Sequence, residues 1–431
     1  MRCLGREGQK WTLQNLPTME NMPGIRQVPR TGVIYVMHEA GKRGFVYGHP
    51  DWANLGQGSP ESGDLPGAPP RVESIKLTPA QHAYGPVEGW KPLRQKVADF
   101  YNGLYRKGKK SQYTFENVCL AGGGRAALTR LAASIAPCNI GHFIPDYTAY
   151  EELLANFRSF IPIPILLDHR QGYRITKEAL ETEISGRGLR LVLISNPCNP
   201  TGQVVEGQEL SDWVELARRN SCTFVFDEFY SHFLYTGEPG RSVSAASFVE
   251  DVEEDPIVIV DGLTKNWRYP GWRLSWTLGP KRLVEAIASA GSFLDGGANH
   301  PIQEQALELL EPERARKEAE AIGNHFRAKR DFMVENLQRL GLKLASEPQG
   351  AFYIWADLAD LPEPLRRGID FFKKGLDEQV ITVPGVFFDV NPGRRRAHSR
   401  FSSLCRLSYG PAMESLEKGV QGIERLVKRY S

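Results

Sequence analysis

An α/β fold, with a mostly parallel central sheet sandwiched by helices, is what this sequence predicts. A smaller α+β domain is expected beside it, formed by the C-terminal part and the N-terminal segment. Three observations lead there. Short apolar runs alternate with amphipathic helical stretches between about residues 117 and 289, the pattern of parallel strands covered on both faces. Several of those runs end in polar or glycine-rich residues, where ligands of such sheets bind. From about residue 303 the alternation gives way to a long charged helical stretch and then two separate strands.

The elements follow in order. Residues 1 to about 30 are polar and irregular, with prolines at 17, 23 and 29, and read as a leader or as an arm that docks on a partner. The Gly/Pro-rich stretch "GQGSPESGDLPGAPP" at 56–70 is a loop. Leu93, Val97, Phe100, Tyr101 and Leu104 recur at helical spacing over 91–107. Strands are then expected in "NVCLAG", "GHFIPD", "FIPIPIL", "LRLVLISNP", "CTFVFDE", "PIVIVDGL" and "LSWTLG". Helices are expected in "GRAALTRLAASIA", "AYEELLANF", "KEALETEIS", "GQELSDWVELARRN" and "PKRLVEAIAS" between and after them. The charged stretch beyond 303 should break at Pro312, and "GAFYIWADL" and "CRLSYG" should be strands of the tail.

Composition narrows the function classes. The 431 residues are 41% hydrophobic and 24% charged, with a formal net charge of +2. That balance argues against nucleic acid as the main partner. No apolar run approaches the roughly 20 residues that span a bilayer, so no membrane partner is expected. "MRCLGREGQKWTLQNL" lacks the apolar centre of a secretory signal. The six cysteines show no C-x-x-C pair or zinc spacing. A cytoplasmic protein without disulfides or a metal site is the expectation.

Five strand ends carry the candidate chemistry. In "LAGGGRAAL", Leu120 to Leu128, three glycines between strand and helix expose backbone N–H groups to an anion, or serve only packing. "SNPCNPTG" places Asn199 at the mouth of the sheet, and is also good turn chemistry. Asp227 ends an apolar strand, where a carboxylate needs a cation, a hydrogen-bonded network or a metal, and the lack of a nearby His/Cys set argues against the metal. In "VDGLTKNWRYPGWRLSW", Lys265 follows a buried strand and Arg273 lies eight residues on. A lysine kept from bulk water loses its proton readily and can form a Schiff base. Arg406 in "CRLSYG" is an arginine among apolar neighbours; judged alone it reads as a satisfied salt bridge.

In this order the set resembles the fold-type I pyridoxal-phosphate enzymes of the class I/II aminotransferase family, over about Leu55 to Tyr409. The Asn-Pro-x-Gly, Asp-x-x-Tyr and Lys-x7-Arg elements carry the resemblance. "NLGQGSPE", "YGPVEGWKPLR" and "PDYTAY" match further segments of the family. The resemblance implies a cofactor, pyridoxal 5'-phosphate, held by Lys265 as a Schiff base, with Lys265 then moving the substrate's α-proton. It implies that Asp227 pairs with the pyridine nitrogen. Tyr230 and Asn199 would bond the ring's phenolic oxygen, and Tyr147 would stack on its face. The phosphate would rest on Gly123, Gly124 and Arg125 with Arg273 as clamp and Thr264 nearby. Tyr84 matches a tyrosine that the neighbouring subunit contributes, so a homodimer with shared active sites is expected. Arg406 would bind the substrate α-carboxylate, near the Gly58 backbone and Asn199. The implied division is an N-terminal segment 1–54, a cofactor-binding large domain 55–302 and a small domain 303–431.

Two departures stand out. Many relatives carry serine or threonine where this chain has Gly124, and serine where it has Gly262, three residues before the lysine. Arg125 would then replace lost donors with a charge. The implied reaction is ping-pong transamination of an α-amino acid. The alternative is β/γ-elimination, replacement or ring closure, as in the cyclopropane-forming branch that uses S-adenosylmethionine. A regulatory or binding member of the family is a third reading. "SFLDGGANHPIQ" holds Asp295, Asn299 and His300 and no arginine, which argues against a dicarboxylate substrate. "NPGRRRAHSR", Asn391 to Arg400, reads as a solvated loop or as a gate for anionic substrates.

Overall fold

The thirteen strands lie in a computed structural model that describes Pro23, Ile25, Val28 and residues 30–431. They are β1 (Ala53–Asn54), β2 (Val118–Ala121), β3 (Asn139–Ile144), β4 (Ile161–Leu166), β5 (Leu189–Ser195), β6 (Thr223–Asp227), β7 (Ile257–Gly262) and β8 (Ser275–Leu278). The series ends with β9 (Lys343–Leu344), β10 (Tyr353–Asp357), β11 (Val380–Ile381), β12 (Val383–Pro384) and β13 (Leu404–Ser408). Most of the expected leader or arm lies outside the described residues.

Seven strands form the central sheet in the order β2-β8-β7-β6-β5-β3-β4. Strand β8 runs antiparallel to both of its neighbours, and the remaining pairs are parallel. The period of two along β6 and β7 assigns their faces. Val225, Val258 and Val260 point to the side covered by Leu128 and Leu131 of helix Gly124–Ala133. Phe224, Phe226, Ile257 and Ile259 point to the other, against Leu93, Val97, Leu210 and Trp213. Both faces are thus covered, which is why these strands read as unbroken apolar runs. Burying a phenylalanine such as Phe226 fully contributes roughly 2–3 kcal/mol.

Register then decides where the polar ends go. Ser195 lies opposite Asp227, and Asp227 opposite Val260. The segments carrying Asn199, Asp227 and Lys265 therefore leave the sheet side by side at its carboxyl edge. The second sheet, β12-β13-β10-β9, is antiparallel and carries Arg406 on β13. Strand β1 pairs parallel with β11, tying the stretch before the Gly/Pro loop to the C-terminal part. The charged helical stretch is two helices, His300–Leu309 and Pro312–Arg339, separated at the expected proline. Cys119, Cys138, Cys198, Cys222 and Cys405 have free thiols. Among the described residues no helix is long and apolar enough to cross a membrane.

Helix Gly124–Ala133 is fixed from beneath by Arg130, which is 1% exposed. Its guanidinium donates to the carbonyls of Leu120 at 3.0 Å and Val87 at 3.1 Å, and to both carboxylate oxygens of Asp295. Removing the acid leaves a buried cation without its counter-ion. Asp295→Asn should lower stability by about 3 kcal/mol, read by urea unfolding. A loss within the error of the wild type would refute that role.

Candidate active site

Strand β7 delivers Lys265 to the centre of the carboxyl edge. Asn266, which follows it, is fully buried. The Asn266 amide donates to the Glu228 carbonyl at 3.0 Å, the Ser231 hydroxyl at 2.9 Å and the Asp261 carboxylate at 2.8 Å. Those bonds lock the lysine's segment to the segment that follows Asp227. The Lys265 ammonium donates to the Gly58 carbonyl. Burial, aided by the positive charges of Arg406, Arg273 and Arg125, pulls its pKa from 10.5 down to about 7, while Asp227 pulls the other way.

Asp227 is buried with no arginine bonded to it among the described residues, and accepts a hydrogen bond from the Tyr150 hydroxyl at 2.7 Å. Burial raises its carboxyl to about 6. Tyr150 and Tyr147 stand edge to face, 5.4 Å between ring centres, at the start of helix Ala149–Asn156. Tyr230 is buried, and its hydroxyl shares a 2.8 Å hydrogen bond with that of Tyr353 on β10.

Gly123 and Gly124 form a close-fitting cradle at the start of helix Gly124–Ala133, whereas a Cβ on Gly122 would meet nothing within 4 Å. Gly123 has φ +96°, and a side chain there would run into the guanidinium of Arg273. Arg273 in turn donates to the Pro270 carbonyl at 3.0 Å, so its head group is steered over the glycine backbone. A Cβ on Gly124 would come within 2.7 Å of the Phe229 ring, and one on Gly262 within 2.5 Å of the Ser275 backbone. Neither departure from the family pattern could be reversed without moving a neighbour. The Thr264 hydroxyl is buried without a partner. Arg125 is exposed, and its guanidinium donates to the Tyr147 hydroxyl at 3.3 Å.

Arg406 is 1% exposed and makes no ion pair among the described residues, so the salt-bridge reading of this residue does not hold. It donates to Asn199 Oδ1 at 3.0 Å and to the Gly56 carbonyl at 2.8 Å, and its Nε is unpartnered. The Tyr353 ring lies 4.3 Å from the guanidinium carbon and the Phe388 ring 5.0 Å. The expected neighbour was the Gly58 backbone. Two residues before it, the Gly56 carbonyl receives Arg406, while the Gly58 carbonyl receives Lys265.

Lys265, Asp227, Tyr230, Asn199, Tyr147, Arg125, Arg273, Thr264, the glycines and Arg406 thus converge. Tyr84 does not join them in this chain: it is 98% exposed. Sequence reasoning missed Tyr150, Tyr353, Gly56 and Phe229. Tyr150 carried a faint signal, lying one helical turn after Tyr147. In "SFLDGGANHPIQ" the polar residues hold the scaffold: Asp295 pairs with Arg130, Asn299 caps helix His300–Leu309, and His300 bonds the Ala83 carbonyl at 3.2 Å. In the basic loop Arg396 is tied to Asp389 and to the Val390 carbonyl, while Arg394 and Arg395 are exposed.

These features fit pyridoxal phosphate. A buried carboxylate suits a protonated ring nitrogen, and the glycine cradle with Arg273 and an orphaned Thr264 hydroxyl suits a phosphate. Comparison with known proteins agrees. The model of the family described as aminotransferase class I and II matches residues 50–423. The aspartate/prephenate aminotransferase of Thermus thermophilus is 28% identical over 82% of this chain and 85% of its own. The probable aspartate/prephenate aminotransferase of Aquifex aeolicus is 26% identical over 80% and 83%. A solved structure of the Thermus thermophilus aspartate aminotransferase with maleate has the same fold, with TM-score 0.75, 23% identity and coverage of 93% and 100%.

The electrostatics of Lys265 give a direct test. In cofactor-free protein, acylation of Lys265 followed by peptide mass should rise with pH about a midpoint near 7, since the neutral amine is the reactive form above that value. A midpoint shared with the exposed lysines would refute it.

Proposed function

The chain belongs to the class I and II aminotransferase family and is a pyridoxal-phosphate-dependent aminotransferase of fold type I, and we propose that the converged side chains carry its reaction. The relatives do not favour the elimination, replacement or ring-closing alternative. When bound, the cofactor supplies the carbonyl that takes up the amino group and the electron sink for the α-carbon. Lys265 anchors it and moves the proton at the substrate α-carbon. Asp227, oriented by Tyr150, accepts the ring N–H. Tyr230 and Asn199 offer hydrogen bonds to the ring's phenolic oxygen, and Tyr147 covers one ring face. The backbone of Gly123, Gly124 and Arg125 receives the phosphate, with Thr264, the Arg273 guanidinium and the charge of Arg125. Arg406 seats the substrate α-carboxylate with Asn199, beside the Gly56–Gly58 backbone. The observation that carries this reading is Lys265 itself, held at about 7 between Asp227 and three guanidiniums.

The same reading includes a homodimer in which Tyr84 reaches the partner's phosphate, supported by Tyr84 at 98% and Phe293 at 75% exposure in the single chain. It also divides the chain into a segment 1–54, a large domain 55–302 and a small domain 303–431, with the β1–β11 pairing in support.

Two measurements test these proposals. Purified protein, mixed with a keto-acid acceptor and an amino-acid panel, should release the keto acid of its true donor. Aspartate heads the panel because the relatives are named for it. Lys265→Ala should abolish this turnover. Release of a leaving group without amino transfer would instead revive the elimination reading. Gel filtration should place the active enzyme at twice the monomer mass; full activity at the monomer position would sink the shared site.

A further inference from the structure

Both segments beside Arg406 converge on one largely buried ion pair, outside the residues assigned to substrate and cofactor. Lys329, on helix Pro312–Arg339, is 0% exposed. Its ammonium donates to the Glu61 carboxylate and, at 2.7 Å, to the Pro411 carbonyl. The same Glu61 oxygen is 2.6 Å from His325 Nε2, one turn back on that helix. Glu61 lies in the loop whose Gly56 carbonyl receives Arg406 and whose Gly58 carbonyl receives Lys265. Pro411 lies just beyond β13, the strand that carries Arg406.

Further contacts close the frame. The Glu61 N–H donates to the Gly410 carbonyl at 3.0 Å, and the Ser408 N–H to the Leu55 carbonyl at 2.7 Å. A Cβ on Gly410 would lie 2.5 Å from the Ser59 carbonyl, so the two segments touch backbone to backbone. On its far side the loop is held by Arg268, which donates to the carbonyls of Glu61 at 3.1 Å and Gly63 at 2.6 Å and is paired with Glu318. A buried ammonium is costly without a counter-ion, so Lys329 and Glu61 are held together and cannot drift independently.

We propose that Lys329 and Glu61 are positioning residues that fix the spacing between the Gly56–Gly58 carbonyls and Arg406, and through it the affinity for the substrate α-carboxylate. The proposal rests on Arg406 being the carboxylate seat. It is specific to binding: amino acid and keto acid present the same carboxylate, so both should feel the change equally.

The test uses holoenzyme with Glu61→Gln and Lys329→Met. Each should raise KM by roughly tenfold for amino acid and keto acid alike, with kcat within about twofold and cofactor affinity unchanged. The double variant should be no worse than the poorer single one, since both remove one interaction. If Lys329→Met does not fold, Glu61→Gln, which keeps shape and hydrogen bonding, decides alone. An unchanged KM overturns the proposal. So does a parallel fall of kcat, cofactor affinity and melting temperature, which would mark the pair as stabilising only. Arg406→Lys separates the two layers of argument. If it raises KM while Glu61→Gln does not, the positioning role alone fails; if Arg406→Lys leaves KM unmoved, the seat lies elsewhere and both readings fall.

Discussion

The crowding of positive charge around Lys265 governs the rest of this site. One ammonium shares the carboxyl edge of the sheet with Arg125, Arg273 and Arg406, and a single carboxylate, Asp227, stands against them. The imbalance has a definite sign. The lysine's folded pKa of about 7 lies below its ordinary 10.5, so between those values the unfolded chain binds more protons and this group's contribution to stability rises with pH. Asp227 is raised from 3.8 to about 6, so its contribution falls as pH rises through that window. Only between about 6 and 7 are both mostly charged in the folded protein. The bare site is therefore strained electrostatically in two opposite ways. A ligand with a cationic ring nitrogen for Asp227 and anionic groups for the arginines answers both.

Backbone approach is the second constraint. A helix start binds an anion through its N–H groups only if nothing stands in front of them. Gly123 meets this by accepting a φ of +96° and leaving room for the Arg273 head group. At Gly124 the space that a side chain would fill belongs to Phe229, two residues beyond Asp227. A hydroxyl-bearing residue could enter there only if the Phe229 ring moved aside or were smaller. Gly124 and Phe229 are one packing decision, and in the proposed site it would leave phosphate recognition to N–H groups and arginines.

The strand ends were legible in the sequence because sheet geometry is local. An apolar run of four to seven residues announces a strand, and the residue that breaks it must stand at the edge; Asp227 and Lys265 were found in this way. The resemblance supplied the order in which the edges meet. What escaped is what joins segments distant in the chain. Nothing in "GAFYIWADL" marks Tyr353 as the partner of Tyr230, 123 residues earlier. Nothing near Gly56 shows that its carbonyl receives Arg406 across 350 residues. Arg406 itself was misjudged in isolation, because a buried arginine usually has an acid, and only the three-dimensional neighbourhood shows that this one has none.

That absence bears on how buried polar groups divide their work here. Arg130 with Asp295, Arg268 with Glu318 and Lys329 with Glu61 are closed pairs, each joining a helix to a loop. Asn266 does the same without charge. It accepts from the His232 N–H at 3.1 Å through its side chain, while its amide bridges Glu228, Ser231 and Asp261. Glu228, raised to about 8 by burial, completes a layer of held carboxyls beneath the lysine. At the carboxyl edge, Arg406 and Asp227 have hydrogen bonds but no ion pair among the described residues, and Lys265 answers the charge of Asp227 alone while Arg406 repels the lysine. Arg130, Arg268 and Lys329 thus hold the helices and loops around a strand-end cluster whose own charged groups are left to hydrogen bonds, and these closed pairs are what keep the open groups in place.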